Sequence, residues 1–195
     1  MSASPTLAGG CPFPPPHFPA KPQTASCFQV IWNRDQGAAL PRRIVTRVTG
    51  RRIGVFGGTF DPPHIGHLVA ALEVRSALDL DEVRLVVAGE PWQKVGTRTI
   101  SSAADRLALV RAAVGDRAEL VVDDVEIRRG GSSYTVDTLE ALAGEHPDDE
   151  RFLIVGDDAA AGFVTWERYE DVAALAHLVV VDRPGTPTPV DERFE

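Results

Sequence analysis

The stretch Gly57–Leu68, "GGTFDPPHIGHL", decides how the rest of the chain is read. It follows the apolar run Ile53-Gly54-Val55-Phe56 and packs two glycines, a threonine, an Asp-Pro-Pro turn and two histidines into twelve residues. Gly57 and Gly58 lack side chains, so backbone N–H groups there can approach a ligand closely, and Thr59 adds a hydroxyl. A helix expected to begin near Gly66 or His67 turns its positive end back onto the same place, which suits an anion such as a phosphate. His64 and His67, three residues apart at that helix start, can present both imidazoles to one side as donors to phosphate oxygens. A metal pair is the competing reading, but His-x-x-His has no third ligand at a suitable spacing, so no metal site is expected. Neither the P-loop pattern nor the Gly-x-Gly-x-x-Gly dinucleotide pattern is present.

Outward from this loop the pattern is an alternation of strands and helices. Apolar runs at 53–56, 83–88, 120–125, 152–155 and 178–181 read as short buried strands. Helix-like stretches at 67–78, 103–114, 135–143 and 169–176 separate them. Near-continuous Val/Ile/Leu strands covered by helices imply an α/β fold with a doubly wound, Rossmann-like parallel sheet. Ligands of such sheets sit beyond the carboxyl ends of the strands, and the unusual loops of this sequence all follow strands. In the second helix, Leu107 and Val110 are expected to face the core and Arg106 the solvent.

The chain has 195 residues and a net charge of −8, unevenly placed. Residues 1–50 carry five basic residues and one acid, a balance of +4, leaving −12 for the remainder. An acidic body argues against a nucleic-acid surface, whose affinity comes from Lys and Arg neutralising phosphates. No run approaches the roughly 20 apolar residues that span a bilayer, and residues 1–30 lack a basic start plus apolar block. A cytoplasmic location without membrane attachment is expected. Cys11 and Cys27 are read as free thiols rather than a disulfide or metal framework. Residues 1–50 contain eight prolines and no sustained periodicity, and are expected to be disordered.

"GGTFDPPHIGH" resembles the signature of the nucleotidyltransferase superfamily with the His-x-Gly-His motif, and His64-Ile65-Gly66-His67 also reads as the HIGH of class I aminoacyl-tRNA synthetases. The length disfavours a synthetase, since no Lys-Met-Ser-Lys-Ser loop or anticodon-binding domain follows. "GEPWQK" (89–94), "GGSSYTVDTL" (130–139) and "IVGDDAAAGFVTWERYED" (154–171) each follow a strand. Together with the first loop they are similar to the bacterial nicotinate-nucleotide adenylyltransferase family, over residues 53–185. The resemblance implies adenylyl transfer from ATP, accompanied by Mg2+, to nicotinic acid mononucleotide in NAD biosynthesis. It implies that Gly57, Gly58, Thr59, Phe60, His64, His67, Gly156 and Asp158 hold ATP, with His64, His67 and Lys94 acting on the phosphates.

Tyr134, Thr135 and Trp166 are the implied acceptor site. A helix opened by Ser133-Tyr134-Thr135 offers N–H groups to the nicotinate carboxylate, with Thr135 as a cap, and the Trp166 face suits a pyridine ring. Another nucleotidyltransferase, such as pantetheine-phosphate adenylyltransferase, is the alternative within the fold, and a nucleotide-binding remnant without catalysis is the alternative outside enzymes. The family pattern continues past "RPG" (183–185) into a Ser-Thr-x-x-Arg motif absent from these 195 residues. The expected organisation is therefore a proline-rich 1–50, a nucleotidyltransferase domain at 51–185, and a tail at 186–195 truncated relative to the family. A homo-oligomer is compatible with the sequence.

Overall fold

The structure is a computed structural model that describes residues 28–32, 50–91 and 99–181. Six strands form one sheet in the order β1-β6-β5-β2-β3-β4. The strands are β1 Phe28–Trp32, β2 Arg52–Gly58, β3 Glu82–Val87, β4 Leu120–Asp123, β5 Glu150–Gly156 and β6 His177–Val181. β2 to β6 pair in parallel, and β1 is antiparallel to β6 at the edge. The helices are α1 Ile65–Leu78, α2 Ala103–Val114, α3 Val125–Arg129, α4 Thr135–Glu145, α5 Asp157–Ala161 and α6 Tyr169–Leu175.

Both faces of the sheet are covered because its strands are apolar on both. Val86, Leu153, Val155, Leu178 and Val180 point to one face, where Val136, Leu139 and Leu142 of α4 and Val172 of α6 close the core. Their neighbours Leu85, Val87, Phe152, Ile154 and Val179 point to the other, against Ala71 and Val74 of α1 and Val110 and Val114 of α2. This period-two division between two helical layers is the doubly wound arrangement expected from the sequence.

Helix ends follow local chemistry. The Ser102 hydroxyl accepts from the Asp105 N–H at 3.1 Å and starts α2, which stops at Gly115 with φ 60°. α1 stops at Asp79, which adopts a left-handed conformation with φ 51°, and the Leu80 N–H returns to the Arg75 carbonyl at 3.0 Å.

Two differences from the sequence reading concern organisation. Five residues of the segment expected to be disordered, Phe28–Trp32, pair with β6 through Phe28↔Val181 and Val30↔Val179. The run "FQVIW" is rich in β-branched and aromatic types that favour strands, and it lies among prolines that dilute the signal. The expected strand at 120–125 ends at Asp123, and the short helix α3 follows. The Asp123 carboxylate accepts from the Val125 N–H at 2.9 Å and turns the chain into that helix.

At the amino edge of the sheet, Glu150 joins three strands. It is the register partner of Arg52, whose Nε reaches its carboxylate at 3.0 Å, while His177 Nε2 lies 3.0 Å from Oε1. The His177 hydrogen bond, helped by Arg52 and opposed by burial, holds the Glu150 carboxyl below the ordinary glutamate range. A lowered folded-state pKa adds stability above the unfolded value, about 4.3, and that stability is lost as pH falls through the folded value. In melting scans across pH, wild type is therefore expected to exceed Glu150→Gln at neutral pH, and the gap is expected to close below about pH 4.

Candidate active site

Strand order reverses at β2. The chain runs outward from β2 to β3 and β4, then returns to lay β5 and β6 on the other side. Such a reversal sends the loops after β2 and β5 in opposite directions and leaves a crevice between them. The pairing of β2 with β5 ends at Val55↔Leu153, whereas β2 stays paired with β3 to Gly58↔Val87 and β5 with β6 to Gly156↔Val181. Phe56–Gly58 and Ile154–Gly156 are therefore unpaired with each other and flank the opening.

Gly57 and Gly58 lie at the end of β2. A Cβ on Gly57 meets nothing within 4 Å, so that side is open, whereas a Cβ on Gly58 would sit 2.9 Å from the Phe60 ring. Thr59 is buried, and Phe60 is 3% exposed with φ 50°. A bulky residue in this left-handed region costs about 1–3 kcal/mol, held here by ring packing. The Phe60 side chain is thus a core element, and only its backbone is available to a ligand. Asp61–Pro62 is a cis peptide, and Asp61 accepts from the Ser101 N–H at 3.2 Å.

His64 occupies the N-cap of α1 and His67 its third position. Their rings stack at 3.7 Å between centroids with 25° between planes. The His64 N–H donates to His67 Nδ1 at 3.1 Å, and the His67 N–H donates to the His64 carbonyl at 3.0 Å. An accepting Nδ1 leaves the proton of the neutral His67 ring on Nε2, which is then a donor. The Phe60 ring meets His67 edge-on at 5.0 Å and fixes its plane. The pair is therefore built from backbone and ring contacts, with His64 exposed and His67 half-buried.

Lys94 lies outside the described residues. On the β5 side, Gly156 is the N-cap of α5, Asp158 is exposed, and Asp157 is buried at 4% with Oδ1 accepting from the Asp158 N–H at 2.8 Å. The sequence reading singled out Asp158, but the buried carboxylate at this helix start is its neighbour. The family resemblance selects Asp158, and nothing in the local sequence marks Asp157 as the one that is buried.

Before α4 the loop is stitched to the loop after β3. Ser132 bridges Glu90, and the Ser133 N–H donates to the Glu90 carbonyl at 3.1 Å. Tyr134, not Thr135, is the N-cap of α4 and makes no side-chain cap, so the capping role expected of Thr135 is corrected. The Ser133 and Tyr134 N–H groups are already committed, to Glu90 and Ser132. By helix geometry the N–H groups of Thr135, Val136 and Asp137 lack intrahelical acceptors. Ser133 Oγ is buried without a hydrogen-bond partner among the described residues. Buried orphan hydroxyls are uncommon, and this one belongs to the residue preceding the α4 N-cap. Trp166 ends a short 3₁₀ turn, Phe163–Thr165, half-buried with its ring 5.3 Å from Phe163.

Arg106 contradicts its expected position on the wet face. It is 1% exposed and lies with Val110 and Val114 on one stripe of α2, while Leu107 is only partly buried. Its i, i+4, i+8 spacing with Val110 and Val114 was the available signal. Amphipathicity alone hides it, because an arginine is assumed to be outside unless paired.

The cytidylyltransferase-like family profile matches residues 55–194, and the chain belongs to that family. Its curated relatives include the probable nicotinate-nucleotide adenylyltransferase of Frankia alni, 51% identical over 129 residues that cover 66% of this chain and 67% of that one. The protein of the same name from Mycolicibacterium vanbaalenii is 46% identical over 135 residues, covering 69% and 63%. The chain thus spans about two thirds of the length of these relatives. A solved Plasmodium falciparum nicotinic acid mononucleotide adenylyltransferase complexed with NaAD superposes with TM-score 0.62 at 16% identity, covering 74% of this chain and 69% of that one. A putative nicotinate-nucleotide adenylyltransferase from Vibrio parahaemolyticus gives 0.57 at 20% identity, covering 69% and 75%. These likenesses establish the Rossmann-like nucleotidyltransferase fold.

Gly58→Ala tests the ring stack. The added methyl displaces Phe60 and, through it, His67, so overpacking is expected to cost about 1–3 kcal/mol of stability. ATP affinity measured on the folded protein is expected to fall, whereas Gly57→Ala, whose Cβ meets open space, leaves the melting temperature unchanged.

Proposed function

We propose that the chain catalyses adenylyl transfer from ATP to nicotinic acid mononucleotide, giving deamido-NAD and pyrophosphate. The observation that carries this reading is the parting of β2 from β5 beyond Val55↔Leu153, directly before a helix whose first turn holds the stacked His64 and His67. The curated relatives supply the acceptor class by their names.

An oxygen of the mononucleotide 5′-phosphate attacks the α-phosphorus of ATP. A new P–O bond forms as the bond from that phosphorus to the oxygen bridging to the β-phosphate breaks, and pyrophosphate leaves with the electron pair. No protein nucleophile is required, so the chain's contribution is positioning and charge stabilisation. The bare edge at Gly57 admits the phosphates. The α1 amino terminus and the His67 Nε2 donor face the developing charge, with His64 supplying a second imidazole. Lys94 adds a cation and Gly156 and Asp158 hold the adenosine end, on the strength of the family resemblance.

For the acceptor, the α4 amino terminus and the orphan Ser133 hydroxyl suit the nicotinate carboxylate, and the Trp166 ring suits the pyridine ring. Among the described residues no group of three His, Cys, Asp or Glu could hold a metal. Mg2+ bound with ATP would neutralise triphosphate charge, a part that the family resemblance implies. We assign the chemistry to residues 51–185 and the work to the cytoplasm. No described helix is long and apolar enough to cross a membrane.

Pyrophosphate release with each mononucleotide tests the reading. Nicotinic acid mononucleotide is expected to exceed nicotinamide mononucleotide by at least about tenfold in kcat/KM, or ~1.4 kcal/mol, because a carboxylate gains more from helix-end N–H groups than a carboxamide. Equal values defeat the acceptor assignment. Trp166→Ala is expected to weaken both acceptors alike. His64→Ala and His67→Ala are each expected to lower turnover about 10²- to 10³-fold. The exposed His64 should leave the melting temperature unchanged, and normal turnover in either variant removes the imidazoles from catalysis.

A further inference from the structure

Arg106 is the largest fully buried side chain of the chain's described residues, and it is a cation. Its guanidinium makes four hydrogen bonds, all to backbone carbonyls. Nη1 donates to Thr59 at 2.9 Å and Ala88 at 2.7 Å, Nη2 to Gly89 at 2.9 Å, and Nε to Ser101 at 3.1 Å. Among the described residues no carboxylate is hydrogen-bonded to it; burial lowers its pKa from the ordinary arginine value, and nearby Asp61 opposes that shift. A buried charge satisfied by carbonyls alone is expensive to assemble and geometrically demanding, since five donors sit in a rigid fork.

What the fork holds together is the backbone of the loops after β2 and β3 and the start of α2. Thr59 lies in the loop after β2, Ala88 and Gly89 in the loop after β3, and Ser101 just before α2. In a trans peptide the carbonyl and the following N–H point in opposite directions. A carbonyl drawn onto the guanidinium therefore turns the N–H of Phe60, Gly89 and Glu90 away from it. Two further contacts carry the effect toward the ligand side. Phe60 packs on His67, and the Glu90 carbonyl accepts from Ser133 in the loop that opens α4. Gly89 is also pinned from behind, because a Cβ there would meet the Glu126 carbonyl at 2.9 Å.

We propose that Arg106 is a positioning residue that sets the peptide planes of Thr59–Phe60 and Ala88–Glu90, and through them the geometry of the nucleotide cradle. The inference rests on the reading of the crevice as an ATP site. Arg106 touches no substrate. Its removal lets the Thr59 carbonyl rotate and with it the Phe60 ring that orients His67.

Arg106→Lys and Arg106→Met separate this from a purely supporting role. Lysine keeps the charge and reaches some of the carbonyls but lacks the fork, and methionine keeps the apolar stem alone. Both are expected to lower the melting temperature. On the folded protein, the ATP dissociation constant measured by calorimetry is expected to rise at least tenfold in Arg106→Met and less in Arg106→Lys, while that of nicotinic acid mononucleotide, linked to Arg106 only through the Glu90–Ser133 hydrogen bond, rises by a smaller factor. Hydrogen exchange without any ligand is expected to quicken at Phe60, Gly89 and Glu90 in the same order. Wild-type ATP affinity in either folded variant overturns the inference, as does unchanged exchange at those amides. Failure of the wild-type protein to bind ATP overturns the crevice reading as well, so the two failures are told apart.

Discussion

The reversal of strand order at β2 is the constraint on which the rest of the molecule depends. A parallel sheet must be covered on both faces, and the helices α1 and α2 lie on one while α4 and α6 lie on the other. Where the chain changes direction, the loops after β2 and β5 leave toward opposite faces, so the carboxyl ends of those strands are free to separate. They do so after Val55 and Leu153, and the residues released there, Phe56–Gly58 and Ile154–Gly156, carry the fewest side chains of either strand. Packing the apolar strands and exposing a ligand site are one solution to one topological requirement.

The site itself is a chain of dependent contacts. Gly58 leaves room for the Phe60 ring, Phe60 accepts a left-handed backbone and packs edge-on to His67, and His67 takes the His64 N–H on Nδ1. Each contact is small, but the last fixes the tautomer of a group facing the opening. The first turn of α1 contains no acid, so nothing on the helix competes with an anion for its positive end. Beneath the same loop a buried guanidinium gathers the carbonyls that would otherwise be orphaned where strands end, replacing the water they lose on folding.

The sequence made the frame legible because each strand is a short, nearly continuous apolar run and each intervening helix has the right length. The five parallel strands appeared within a few residues of their bounds, as did α1, α2, α4 and α6. The Gly57–His67 loop was legible for a different reason, since few structural demands combine bare backbone, a proline turn and two histidines at a helix start. Other features were not legible. Arg106 reads as a surface residue because amphipathic periodicity scores charge as exposed, and only the facing carbonyls of three separate segments explain its burial. β1 is five residues long inside a proline-rich segment, and its pairing with β6 is fixed by an available edge rather than by any local signal. The α4 cap falls on Tyr134 rather than Thr135, in a loop tied to the one after β3 by the Ser133 N–H on the Glu90 carbonyl, a contact with no sequence trace.

The most direct test of the crevice as the seat of nucleotide chemistry is a crystal structure with a non-hydrolysable ATP analogue. The triphosphate is expected between the ends of β2 and β5, over Gly57 and Gly58, within hydrogen-bonding reach of His67 Nε2 and the first turn of α1. The adenosine end is expected toward Gly156. An analogue bound at the amino edge of the sheet near Glu150 and His177, or a crevice closed by pairing of Phe56–Gly58 with Ile154–Gly156, would contradict the account.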